Sequence, residues 1–129
     1  MTLKNYRILI VDDNPNFIKT LTFLIQEILG SRIVKLDVAK NGVEALEKVF
    51  NEVPYNVIFM DVNMPHMDGI TATKLINREF YRGTKIIAVS FNRDLQTISN
   101  MMFSGAADYI YKDDLTVEKL EQVFDIEYL

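Results

Sequence analysis

The sequence has no cysteine, so disulfides, thiolate metal sites and cysteine nucleophiles are excluded. It has one histidine, His66, which excludes a zinc centre built from several imidazoles. No apolar run approaches the roughly 18 residues of a membrane span. Near the N-terminus, Lys4 and Arg7 are followed by only a short apolar run before Asp12 and Asp13, too short for a signal-peptide core. The expected location is therefore cytoplasmic. Internal repeats, low-complexity stretches and Gly/Ser/Pro-rich linkers are missing too. Positive charge is in deficit: 14 Lys and Arg against 18 Asp and Glu give a net charge of -4. That balance argues against a nucleic-acid or anionic-membrane binder.

What remains is ordinary for a folded protein. The 129 residues, 49% apolar and 25% charged, suffice for a single domain over 1–129 with a core of its own. Five short apolar or alternating segments predict strands: Arg7–Val11, Ile33–Ala39, Val57–Met60, Lys85–Val89 and Asp108–Tyr111. Stretches of helical spacing lie between them. The first places Phe17, Leu21, Leu24, Ile25 and Ile28 on one face, begins at an Asn14-Pro15 cap and ends at Gly30. The second runs from Asn41, with Glu44 as its capping-box partner, and is expected to bury Leu46, Val49, Phe50 and Val53. The third opens at Asp68, is expected to bury Leu75, Ile76 and Phe80, and stops near Gly83. The fourth covers about Leu95 to Ser104 and the fifth about Thr116 to Phe124.

Strict strand–helix alternation implies a doubly wound α/β fold, a five-stranded parallel sheet with helices on both faces. Ile8–Val11, Val57–Met60 and Ile86–Val89 are continuous apolar runs, as central strands covered on both faces require. The second and fifth segments alternate, which marks edge strands. The order 2-1-3-4-5 of the flavodoxin-like fold follows.

In such a sheet all carboxyl ends of the strands meet at one edge, where ligands bind. The first strand ends in Asp12 and Asp13, the third in Asp61, the fourth in Ser90 and the fifth in Lys112. Taken singly, an Asp after a strand most often caps a helix or a turn, Ser90 is a loop hydroxyl, and Lys112 is a solvated charge. Asn14 reads as a cap, and His66 as a surface residue without a chemical role. Five polar groups converging on one edge are a different matter. Three carboxylates so close repel, and a divalent cation relieves the repulsion. Oxygen-only ligands select Mg²⁺, or Mn²⁺, over zinc. With a lysine and a hydroxyl alongside, the set suits phosphoryl transfer, with a carboxylate able to serve as nucleophile.

Four motifs, in order and spacing, resemble the receiver domain of two-component response regulators across essentially the whole chain. They are Ile8–Asp13, Ala39–Leu46, Asp61–Gly69 and Gly105–Lys112. The resemblance implies that Asp61 is the phosphoacceptor. Asp13 would be the main metal ligand, with Asp12 assisting and Asn63 lending its main-chain carbonyl. Lys112 would pair with the phosphoryl group, Ser90 would hydrogen-bond it, and Tyr109 would be the switch aromatic. The donor would be a phosphohistidine on a sensor histidine kinase or a histidine phosphotransfer protein. Output would pass through the fourth helix, fifth strand and fifth helix to a downstream protein or an effector domain, the receiver being a monomer or a phosphorylation-dependent dimer. It would not be an enzyme in its own right.

Two positions depart from the family pattern. Phe91 follows Ser90 where a small residue is usual, and Asp113 follows Lys112 where proline is common. A bulky ring could shield Asp61 or swing out to contact a partner, a missing proline could loosen the lysine's loop, and Asp113 adds negative charge. Met101, Met102 and Phe103 are consecutive, so one or two of them should be exposed and available to a partner. Two other functions would use the same fold. A flavin-mononucleotide carrier needs a loop of phosphate-binding donors after the first strand, where Asp12-Asp13-Asn14-Pro15 stands. A Mg²⁺-dependent phosphatase with an aspartyl nucleophile would want a second carboxylate at Asn63.

Overall fold

The computed structural model describes residues 4–79 and 83–125. Strands β1 (Tyr6–Val11), β2 (Ile33–Ala39), β3 (Val57–Met60), β4 (Lys85–Ser90) and β5 (Asp108–Tyr111) alternate with helices α1 (Pro15–Leu29), α2 (Gly42–Asn51), α3 (Gly69–Glu79), α4 (Leu95–Phe103) and α5 (Val117–Val123). All four strand pairings are parallel and the order is β2-β1-β3-β4-β5. The central strands are buried almost throughout, whereas β2 and β5 are half-exposed, as their alternation requires. No helix among the described residues is long and apolar enough to cross a membrane.

Alternate side chains of the central strands feed two cores. Ile8, Ile10, Val57 and Phe59 pack with Leu21, Ile25 and Leu29 of α1 and Leu120 and Val123 of α5. Leu9, Val11, Ile58 and Met60 pack on the other face with Ala45, Ala72, Ile76 and Met101 of α2, α3 and α4. Each fully buried Leu, Ile or Phe stabilises the fold by about 1.5–3 kcal/mol.

The caps fall where the sequence places them. Asn14 accepts the Asn16 and Phe17 N–H groups, with Pro15 next in line. Gly30 closes α1 with φ 52°. Asn41 accepts the Glu44 N–H, while the Glu44 carboxylate returns to the Lys40 N–H and, at 3.5 Å, to the Asn41 amide. Asp68 accepts the Thr71 N–H at 2.8 Å at the start of α3.

Three burial expectations are corrected. Phe50 is 66% exposed and Val53 61% exposed. The buried stripe of α2 runs through Gly42 and Ala45 with Leu46 and Val49 half-buried, and Phe50 lies about 100° further round from Val49. Val53 lies beyond the last turn. Leu75 is half-buried, the contact with the sheet being made by Ala72 and Ile76. Phe80 lies outside the described residues. Met101 is buried while Met102 and Phe103 are exposed, the split that three consecutive residues impose on one helix.

Candidate functional site

The sheet delivers its polar strand ends to one bowl. Asp12 and Asp61 prolong the ladder: the Asp12 N–H donates to the Ala39 carbonyl at 3.0 Å and the Asp61 N–H to the Val11 carbonyl at 2.9 Å. Both carboxylates are therefore held by regular strand geometry, and both are buried, Asp12 at 1% exposure and Asp61 at 7%. Asp13, one residue on, is exposed. A carboxylate oxygen from each of Asp12, Asp13 and Asp61 lies within 4.8 Å of the others.

Lys112 arrives from the end of β5 with its side chain almost fully covered. Its Nζ lies 2.7 Å from Asp12 Oδ2 and 3.5 Å from Asp61 Oδ2. The rings of Phe17 and Phe91 both lie near the ammonium, their centroids 4.5 and 5.4 Å from Nζ. Asp61 Oδ1 accepts the Val62 N–H at 2.8 Å, and Asp12 Oδ1 accepts the Asn14 N–H at 2.9 Å. Burial first, and the Asp12 charge second, push the Asp61 carboxyl up to about 6, against the pull of Lys112 and the Val62 N–H. At neutral pH Asp61 is still largely ionised.

The segment after Asp61 is folded back under it. The Gly69 N–H donates to the Val62 carbonyl at 2.8 Å, and the Gly42 N–H to the Met67 carbonyl at 3.0 Å. A Cβ at Gly69 would sit on the Asp61 carbonyl oxygen, and one at Gly42 would meet the Met67 carbonyl. Both glycines are required by close approach of backbone. His66 is exposed with φ 68°, a turn residue, as expected.

Ser90 is buried at the end of β4, and its hydroxyl accepts the Asn92 N–H at 3.1 Å. Asn92 is a junction that sequence reasoning missed. Its carbonyl accepts the Tyr109 hydroxyl at 2.7 Å, and its side-chain amide donates to Asn63 Oδ1 at 3.3 Å. Tyr109 is half-buried against the α3–α4 side of the core, and burial, first of all, raises its hydroxyl pKa. Asn63 itself is exposed. All seven sequence-derived residues, Asp12, Asp13, Asp61, Asn63, Ser90, Tyr109 and Lys112, thus lie in or beside one bowl.

The two departures from the family pattern have a physical outcome. Phe91 is 62% exposed, with its ring near Lys112. Asp113 turns away from the acidic cluster. It accepts from Arg93 Nη2 at 3.0 Å, and Asp114 accepts from the same nitrogen at 3.1 Å. The Arg93 guanidinium also lies 3.9 Å from the Tyr111 ring centroid. The charge of Asp113 is thereby matched, its carboxyl held below the usual range by the Arg93 hydrogen bond, and the lysine's loop is strapped to the β4–α4 connection. Arg93 was not singled out by sequence, and Phe17 only as part of the apolar face of the first helix; only the opposite charges of Arg93 and Asp113-Asp114 hinted at the Arg93 contact.

The cluster fits a hard divalent cation. Every donor is oxygen, two carboxylates are buried and one faces solvent, and the single lysine offsets only one of the three negative charges.

The chain is similar in fold to solved structures. The chain aligns with a CheY-like response regulator receiver domain protein from Methanospirillum hungatei at TM-score 0.79 and 27% identity, covering 96% of this chain and 95% of that one. It aligns with a chain of the CheX–CheY–BeF3–Mg complex from Borrelia burgdorferi at TM-score 0.81 and 30% identity, covering 95% and 90%. A protein-glutamate methylesterase/protein-glutamine glutaminase from Carboxydothermus hydrogenoformans is 38% identical over 124 residues, 94% of this chain but 34% of that protein. The chain thus spans about a third of that relative, and 53% of a probable C4-dicarboxylate response regulator from Priestia megaterium that is 27% identical to it. A family model described as the response regulator receiver domain matches residues 8–125, and with that match the chain takes its place in the response regulator receiver domain family.

Proposed function

We propose that Asp61 is the residue that takes up phosphate in this two-component receiver, with Mg²⁺ (or Mn²⁺) held by Asp12, Asp13, Asp61 and the Asn63 carbonyl. The observation that carries the reading is the Asp61 carboxylate. It is buried, fixed at Oδ1 by the Val62 N–H, and open at Oδ2 to Lys112 and two further carboxylates. A bound Mg²⁺ would supply charge neutralisation for phosphoryl oxygens. The Borrelia complex, which contains Mg and a beryllofluoride, is consistent with this assignment.

The donor is a phosphohistidine of a sensor histidine kinase or a histidine phosphotransfer protein. An Asp61 carboxylate oxygen bonds to phosphorus as the phosphorus–nitrogen bond breaks, and the imidazole nitrogen keeps the electron pair. Lys112 turns from Asp12 towards the added oxygens. The new group brings about -1.5 to -2 charges and three acceptor oxygens. Ser90 can donate to one of them, which changes the geometry of its bond with Asn92. Asn92 also holds the Tyr109 hydroxyl, so the change passes to β5 and to α4, where Met102 and Phe103 are exposed. The domain acts as phosphoacceptor and switch rather than as an enzyme on other substrates, in the cytoplasm, and hands its state to a downstream partner or effector domain.

The test is intact-mass spectrometry after incubation with a small acyl phosphate and Mg²⁺. The expected result is a gain of about 80 Da, one phosphoryl group, abolished in Asp61→Asn. No gain in protein that binds Mg²⁺, or an equal gain in Asp61→Asn, overturns the assignment.

A further inference from the structure

The edge of the sheet remote from the switching face has an ordered pattern of its own. β2 is an outer strand, and among the described residues no strand pairs with its outer side. Its ladder with β1 is regular from Lys35 to Ala39. The Ala39 carbonyl points to β1, where it accepts the Asp12 N–H. Alternation then turns the backbone groups of Val38 and Leu36 outward, whereas Val34 is the extra residue at a register shift opposite Tyr6 and Arg7. Neither Val38 nor Leu36 makes a backbone hydrogen bond outside the β1 ladder among the described residues. On the α1 side of the sheet Val38 is 37% exposed beside the half-buried Leu36, and Val34, at the bulge, is 57% exposed. On the α2 side stand Lys35 and Asp37. Lys35 Nζ is 2.8 Å from Glu52 and 3.7 Å from Asp37, and Asp37 accepts the Tyr55 hydroxyl at 2.5 Å.

We propose that β2 pairs antiparallel with β2 of a second copy of this chain, about a twofold axis at Leu36. In that register Leu36 opposes the partner's Leu36, and the outward N–H and C=O of each satisfy the other. Lys35 then stands opposite the partner's Asp37, and Asp37 opposite the partner's Lys35, on the same face of the joined sheet. The partner's strand also runs beside Val38 and covers that exposed valine. The neighbouring symmetric registers are disfavoured by charge. Centring on Lys35 sets lysine against lysine, and centring on Asp37 sets aspartate against aspartate. A lone inward charge on an edge strand guards against pairing. Here two opposite charges, one residue either side of the axis, make the strand complementary to itself alone. The pairing lies at the sheet edge opposite β5, so it leaves the α4–β5–α5 face uncovered and needs no phosphate.

The experiment is sedimentation equilibrium of the unphosphorylated full chain across the micromolar to millimolar range. The expected result is a mass rising from one chain towards two. Lys35→Asp and Asp37→Lys should each weaken self-association roughly tenfold by setting like charges opposite one another. Mixed one to one, the two variants restore it, since one chain then carries an acid at both positions and the other a lysine at both. A wild-type chain that stays monomeric throughout, a dimer untouched by either variant, or a mixture no stronger than its components each overturns the proposal. Amide exchange of the wild-type chain needs no variant. Leu36 and Val38 N–H should gain protection as concentration rises, and unchanged exchange there also overturns it.

Discussion

Lys112 leans on Asp12, at 2.7 Å, more closely than on Asp61, at 3.5 Å. Burial first, and the Asp12 charge second, push the Asp61 carboxyl up to about 6, and Lys112 offsets them only in part.

That imbalance has a pH signature in metal-free protein. Below an ordinary carboxylate pKa of 3.8, Asp61 is protonated folded or unfolded. Between there and about 6 the folded chain holds a proton that the unfolded chain has released, so stability falls as pH rises through this window and stays lower above it. Asp61→Asn removes the charge. With chelator present, the variant should be more stable than wild type at neutral pH, by up to about 3 kcal/mol. The gain should vanish near pH 4. Urea unfolding at both pH values checks this, and an equal difference at the two would contradict it.

Asp13 and Asn14 are adjacent and do different work. Asp13 offers a solvent-facing carboxylate to the cluster, whereas the Asn14 side chain caps α1. Asp13→Ala should weaken Mg²⁺ binding tenfold or more, as loss of a charged ligand does. Asn14→Ala should cost about 1 kcal/mol of stability and leave metal affinity nearly unchanged, because the N–H that holds Asp12 remains. Calorimetric titration with Mg²⁺ and thermal unfolding separate the two effects.

The rings of Phe17 and Phe91 both lie near the Lys112 ammonium. Phe91→Ala should open the approach to Asp61 and speed phosphoryl uptake or loss about fivefold, equivalent to ~1 kcal/mol of barrier. Rates with acyl phosphate, and the decay of the phosphorylated form, measure this. Identical rates would show that the ring shields nothing.

Arg93 straps the β4–α4 connection to Asp113 and Asp114, over the face of Tyr111. Arg93→Ala should raise amide exchange across residues 91–94 several-fold while β4 itself stays protected. High salt should produce part of the same effect in the wild-type chain, since exposed ion pairs are screened. Exchange that responds to neither would mean that the strap does not restrain the loop.

The fold was legible because apolar runs and alternation report different burial: Ile86–Val89 is covered on both faces and Val34–Val38 on one. The carboxylates at the strand ends were legible because parallel topology alone brings them together. Phe50 and Val53 were misjudged because their spacing matches a helical stripe. Whether that stripe meets the sheet depends on where α2 ends and how it is turned, neither of which periodicity fixes. Asn92, Arg93 and the Phe17–Lys112 contact were missed for another reason. They depend on how far side chains reach between loops distant in sequence, and no local pattern encodes that reach.

Gly69 lies so close beneath the Asp61 carbonyl that no side chain fits between them. Asp61 is thus backed directly by main chain, while Ser90, Asn92 and Arg93 lie on a connection held mainly by side-chain contacts. A load applied at the rigid support has to be relieved by the pliant neighbour. Phosphate on Asp61, as proposed, would therefore send its strain across the sheet towards β5.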